Sequence, residues 1–112
     1  MTSSVTRPPL TLGIEEEYMV VDPGTCSLTS SVRDILESGR AILGDQIKAE
    51  FMQSQVEVGS IVCRDIHEAR ADLTRLRRTV SRIAEDCGKT IAAAATHPFS
   101  RWREQNITEG ER

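Results

Sequence analysis

Three consecutive carboxylates, Glu15, Glu16 and Glu17, interrupt an otherwise apolar run over residues 10–21. On a strand successive side chains alternate between faces, so Glu15 and Glu17 share one side and Glu16 takes the other. Two acids about 7 Å apart on one face repel each other. A divalent cation between or above them is the natural counter-charge. A second pair of acids, Glu50 and Glu57, flanks Gln53 and Gln55. Hard cations take oxygen ligands, and magnesium is typically held by a few carboxylates plus the phosphate oxygens of a nucleotide. Such ions neutralise charge that develops on a transferred phosphoryl group. On periodicity alone a solvated acidic sheet face is the favoured alternative. No phosphate-cradling glycine loop is present, so a nucleotide would not be held in the P-loop manner.

Other reactive side chains carry weaker signals. His97, before Pro98, is of a type that serves as a ligand or acid–base group. A structural hydrogen bond at a strand end is the commoner role. His67 reads as surface. Cys26, Cys63 and Cys87 are odd in number and lack a CxxC spacing. They read as reduced, cytoplasmic thiols and not as a zinc site or a disulfide frame.

The elements that must position these groups follow from pattern. Residues 1–9 read as a loose tail. The first strand covers residues 10–21, with Leu12, Ile14, Tyr18 and Val20 on one face. Glu16 has the parity of that apolar face, so it needs a sheet edge or an arginine from a covering helix. Asp22, Pro23, Gly24 and Thr25 compose a turn. A helix is expected over residues 31–43, with Ser31 and Asp34 in a weak capping arrangement. A second strand is expected over residues 47–62. Glu50 and Glu57 are an odd number of residues apart, so a bulge or break near residues 51–54 is needed to bring both to one face. The clearest helix is residues 65–87. Asp65 and Glu68 have the capping-box spacing, and Ile66, Ala69, Leu73, Leu76, Val80, Ile83 and Cys87 form an apolar stripe. Gly88 is its stop. Residues 89–96 are a third strand candidate, and residues 99–112 a polar C-terminal segment.

The chain of 112 residues makes one domain at most. Its net charge of −3 gives no support to nucleic-acid binding. No apolar run approaches the ~20 residues of a membrane helix, and no secretory signal core is present.

Taken together, the stretches LTLGIEEEYMVVDP, EFMQSQVEVGS, IVCRDIHEARADLTRLRR and AAAATHPFSRW resemble the glutamate–cysteine ligase superfamily, and within it the carboxylate-amine (type 2 glutamate–cysteine) ligase branch. The resemblance covers most of residues 10–103. It implies an α+β fold: a mainly antiparallel, curved sheet with helices on one face and acids on the open face. Residues 10–98 would be the N-terminal portion of a catalytic domain that is incomplete in this chain. It implies an ATP-dependent ligase that activates a carboxylate, commonly that of glutamate, as an acyl phosphate for attack by an amine, classically that of cysteine. Carried over by motif, Glu15, Glu17, Glu50 and Glu57 would bind magnesium or manganese ions and, through them, ATP. His97 inherits only a place near the active site, and Glu16 inherits no role. The isolated chain is expected to be inactive. Two alternatives stay open: a non-catalytic metal- or ligand-binding module, and an assembly piece or homo-oligomer whose long helix pairs with another chain.

Overall fold

A computed structural model describes residues 7–29, 32–50, 54–94 and 96–105. Its elements in chain order are β1 (Glu15–Val21), α1 (Arg33–Leu43), a 3-10 turn (Gly44–Gln46), β2 (Ile47–Ala49), β3 (Gln55–Gly59), α2 (Ile66–Asp86), β4 (Thr90–Ala92) and a 3-10 turn (Trp102–Glu104). The strands form one sheet in the order β2-β3-β1-β4, and every neighbouring pair is antiparallel. The fold is therefore α+β, with an antiparallel sheet and two helices.

The core lies on one face of the sheet. Tyr18 and Val20 of β1, Ile47 of β2, and Val56 and Val58 of β3 are buried against Ile35, Leu36 and Leu43 of α1 and Leu76, Val80, Ile83 and Ala84 of α2. Ile66, expected on the apolar stripe of α2, is 70% exposed, but Leu76, Val80 and Ile83 of that stripe are spent on the core, which argues against the helix-pairing alternative. Leu12, expected on the core face, is 46% exposed. The β1 ladder begins only at Glu15, and Leu12 makes an isolated bridge to Cys63 instead.

Local chemistry sets the helix ends. Asp65 caps α2 by accepting from the Glu68 amide at 2.9 Å. The Glu68 carboxylate reaches back one residue further than a capping box requires, to the Arg64 amide at 2.7 Å. At the other end the Gly88 amide donates to Glu85 O and the Lys89 amide to Ala84 O, the two bonds of a Schellman stop. That stop needs the left-handed backbone that glycine adopts freely, and Gly88 has φ 72°. Val32 sits at the start of α1 with no side-chain cap, and Ser31 lies outside the described residues. Gly39, which weakens α1 by propensity, has a packing reason: a Cβ there would come within 2.6 Å of the buried Ile47 side chain.

The single strand expected over residues 47–62 is two strands. β2 ends at Ala49, and β3 starts at Gln55 and runs back beside it. Residues 51–53, where the bulge was expected, lie outside the described residues. Of the expected bulge or break near residues 51–54, it is the break that is seen: the strand is interrupted between Ala49 and Gln55, and because β2 and β3 are antiparallel neighbours no bulge is required. Lys48 faces Glu57 across the pair, so even-numbered residues of β2 share a face with odd-numbered residues of β3. Glu50 and Glu57 reach one side by that route.

Candidate functional site

The open face of the sheet carries the acids. β1 and β3 pair with Glu17 opposite Glu57 and Glu15 opposite Gly59, while β2 places Lys48 on the other side of Glu57. Glu57 is thus the centre of the row. Carboxylate oxygens of Glu17, Glu50 and Glu57 all lie within 4.8 Å of one another. Like charges directly opposite on neighbouring strands are destabilising. The strain registers in Glu57, which is pushed up to about 7 by a hydrogen bond with Glu50, then by burial, then by the charges of Glu50, Glu15 and Glu17. Three of the four expected ligands therefore converge. Glu15 stands two residues along β1, outside that group, and contributes its charge to Glu57 without joining the cluster.

A cavity of about 630 Å³ opens at the Glu15 end, bordered by Glu15, Gln46, Lys48, Glu57 and Ser60. A second, of about 480 Å³, opens at the other end, bordered by Met19, Gln55, His97, Ser100 and Arg101. The acid row lies between them.

His97 is occupied by the backbone. Its Nδ1 accepts from the amides of Phe99 (3.2 Å) and Ser100 (2.9 Å). The ring therefore carries its proton on Nε2, which donates to Cys26 O at 2.6 Å. With the bond from the Leu28 amide to Ser100 Oγ, this clasp ties the turn after β1 to the segment after β4. His97 borders the site as a structural histidine, with neither nitrogen free to ligate.

Glu16 points the other way. Its two oxygens accept from Arg77 Nε at 2.7 Å and Nη2 at 2.6 Å, the arginine-from-a-helix solution. The Arg77 hydrogen bonds hold Glu16 below the usual carboxylate range. Beside the pair, burial and then the neighbouring Glu16 carboxylate push the Tyr18 hydroxyl above its ordinary pKa and keep it un-ionised.

Two features escaped the sequence pattern. Lys48 has strand parity with Glu50, which was the signal for its place in the row. Asp72 falls at helical spacing between Ala69 and Leu76, on the buried stripe itself, and is 7% exposed. Burial would raise its carboxyl, but the Ile61 amide, Arg75 and Gln46 outweigh it and hold Asp72 below its ordinary value.

The fold and the row define a class: an antiparallel sheet, backed by helices, that presents clustered carboxylates on its open face. Comparison with known proteins gives the family. The description "Glutamate-cysteine ligase family 2" matches residues 11–112, and the chain belongs to that family. Relatives named "Putative glutamate–cysteine ligase 2" include one from Roseiflexus castenholzii, 56% identical over 93% of this chain and 27% of the relative. One from Herpetosiphon aurantiacus is 51% identical over the same shares. One from Solibacter usitatus is 42% identical over 97% of this chain and 29% of the relative. The chain thus spans less than a third of the length of these curated relatives. No helix among the described residues is long and apolar enough to cross a membrane.

Proposed function

We propose that this chain is the metal- and nucleotide-binding portion of an ATP-dependent carboxylate-amine ligase that joins glutamate to cysteine. The observation that carries the reading is the convergence of Glu17, Glu50 and Glu57 within 4.8 Å on an open face. An all-carboxylate donor set suits a hard divalent cation such as magnesium or manganese. The raised pKa of Glu57, from its hydrogen bond with Glu50, burial and the charges of Glu50, Glu15 and Glu17, supports the reading, because a bound cation would offset that repulsion. Glu17, Glu50 and Glu57 would hold one ion, and Glu15, beside the cavity of about 630 Å³, would contribute to binding further metal and the nucleotide phosphates. When bound, the cation supplies charge neutralisation at the phosphates.

The chain's own residues do the positioning. Glu57 sits between Glu17 and Lys48 and is ionised when its neighbours' charge is offset. The clasp of His97 fixes the far cavity wall. In the reaction a glutamate carboxylate oxygen attacks the γ-phosphorus of ATP, ADP leaves, and an acyl phosphate forms. The cysteine amine then attacks the acyl carbon, loses a proton, and inorganic phosphate leaves.

The test is a chimera in which these 112 residues replace the matching segment of the Roseiflexus castenholzii relative. ADP release should depend on glutamate and cysteine. Glu17→Gln and Glu57→Gln should each reduce it by at least tenfold with the fold intact. Full turnover in both variants would overturn the assignment. The isolated chain is expected to bind Mg²⁺ and to release no ADP.

A further inference from the structure

A register that sets Glu17 opposite Glu57 is opposed by its own charges, so bonds elsewhere must hold the strands. Gln46, Asp72 and Arg75 form a network at the Glu15 end of the row. Asp72 Oδ2 accepts from the Ile61 amide at 2.9 Å and from Gln46 Nε2 at 3.1 Å. Asp72 Oδ1 accepts from Arg75 Nε at 3.0 Å and Nη2 at 2.8 Å. Gln46 Nε2 also donates to Gly59 O at 3.1 Å, and Gln46 Oε1 accepts from Arg75 Nη2 at 2.6 Å.

The bonds that leave α2 end on segments that carry or border the acids. Gly59 is the strand partner of Glu15 and lies two residues beyond Glu57. Gln46 directly precedes β2, which carries Lys48. Ser60, between Gly59 and Ile61, receives the Ile14 amide on its Oγ at 2.9 Å and returns its own amide to Ile14 O at 2.8 Å. The network therefore links α2, the exit of β3 and the entry of β2, while Ser60 carries the linkage on to the start of β1. A buried carboxylate is costly unless its lone pairs are filled, and here both oxygens are.

We infer that Asp72, acting through Gln46, is a positioning residue for the acid row: from helix α2 it fixes the offset of β3 against β1 and β2 and so the spacing of the carboxylates that take the metal. The inference rests on the proposed metal role of that row. The network would hold the carboxylates at ligand spacing before an ion arrives, so that the metal need not draw mutually repelling strands together.

The test is calorimetric titration of the 112-residue chain with Mn²⁺, at a temperature where circular dichroism shows each variant folded. Asp72→Asn and Gln46→Leu should each weaken Mn²⁺ binding at least fivefold. Leu36→Ala, which removes core packing on α1 away from the network, should lower the melting temperature and leave Mn²⁺ affinity unchanged. Wild-type affinity in Asp72→Asn and Gln46→Leu would overturn the inference even if both melt early. So would a parallel loss of affinity in Leu36→Ala, because general destabilisation would then suffice. Should Asp72→Asn fail to fold, Gln46→Leu decides by the same criterion. A wild-type chain that binds no Mn²⁺ would instead overturn the metal reading, and the inference with it.

Discussion

Glu16 and its two neighbours are the same residue type on one strand, yet the two faces of β1 give them opposite electrostatic situations. Behind the sheet, Glu16 meets a guanidinium in fork geometry and its carboxylate is stabilised. In front, Glu17 and Glu57 meet each other and Glu50, and the Glu57 carboxylate is destabilised. The back face is electrically closed and apolar around the pair. The front face keeps its acids in mutual repulsion, which under the proposed function a cation would relieve. One strand thus joins a surface of paired charge to one of clustered like charge, and an alternation of one residue separates them.

The contrast breaks most visibly from behind. Leu76 is fully buried between α2 and the sheet. Leu76→Ala should cost about 2–5 kcal/mol, the usual range for a cavity of this kind. Urea unfolding followed by circular dichroism measures it. A concentration-dependent midpoint in the wild-type chain would instead revive the helix-pairing alternative. The next effect is that of Arg77→Met. It strands the Glu16 carboxylate, 15% exposed beside an arginine that is itself 54% exposed. Partial solvent access limits the loss to about 1–2 kcal/mol. Much of it should be recovered in the double variant Arg77→Met with Glu16→Gln, because the unpaired charge is then gone.

From the front the response should be one of binding. Glu57→Gln removes the central acid of the row and should weaken Mg²⁺ association by at least tenfold, about 1.4 kcal/mol, as read by calorimetry. Without metal the same variant should be no less stable than wild type, since it removes a repelling charge. A Glu57→Gln chain that unfolds more readily in metal-free buffer would make the front face structural after all.

How much of this was legible depended on whether a feature is local. The helix stop at Gly88, the Asp65 cap and the stripe of α2 are written within a few residues of one another and were readable. So was the choice facing Glu16, a sheet edge or an arginine from a covering helix, because it shares parity with Tyr18; which of the two applies is set by the fold. The hairpin between β2 and β3 was not readable. A strand period of two continues on both sides of residues 51–53, and an odd separation is met equally well by a bulge or by a reversal. Charged Asp72 on an apolar stripe was a visible anomaly. Its partners outside α2, Ile61 and Gln46, lie 11 and 26 residues away and are set only by the tertiary fold. The clasp of His97 onto Cys26 O spans 71 residues, and no spacing rule reaches that far.

The finest test of the two faces is the sign of their pH dependence, measured by thermal melts of the metal-free chain. The folded value of Glu57, about 7, lies above its ordinary 4.5. The folded state therefore holds the Glu57 proton more tightly than the unfolded state does. The associated stability is fully present below about pH 4.5 and is lost as pH rises through about 7. Glu57→Gln, which keeps the uncharged form, should match wild type near pH 4.5 and melt higher near pH 8. Solvent screening at this half-buried site keeps the gain under about 1 kcal/mol, or roughly 4 °C. Glu16 runs the other way. Its folded value lies below the ordinary one, so the stability from its pair is present above about pH 4.5 and is lost as pH falls through the folded value. The penalty of Glu16→Gln should accordingly be largest at neutral pH and fade on acidification. Saturating Mg²⁺ should abolish the Glu57 slope, because a bound cation favours the ionised carboxylate, and leave the Glu16 slope in place. Slopes of the same sign at both residues, or a Mg²⁺ effect on both, would mean that the two faces share one electrostatic environment and that the separation along β1 does not hold.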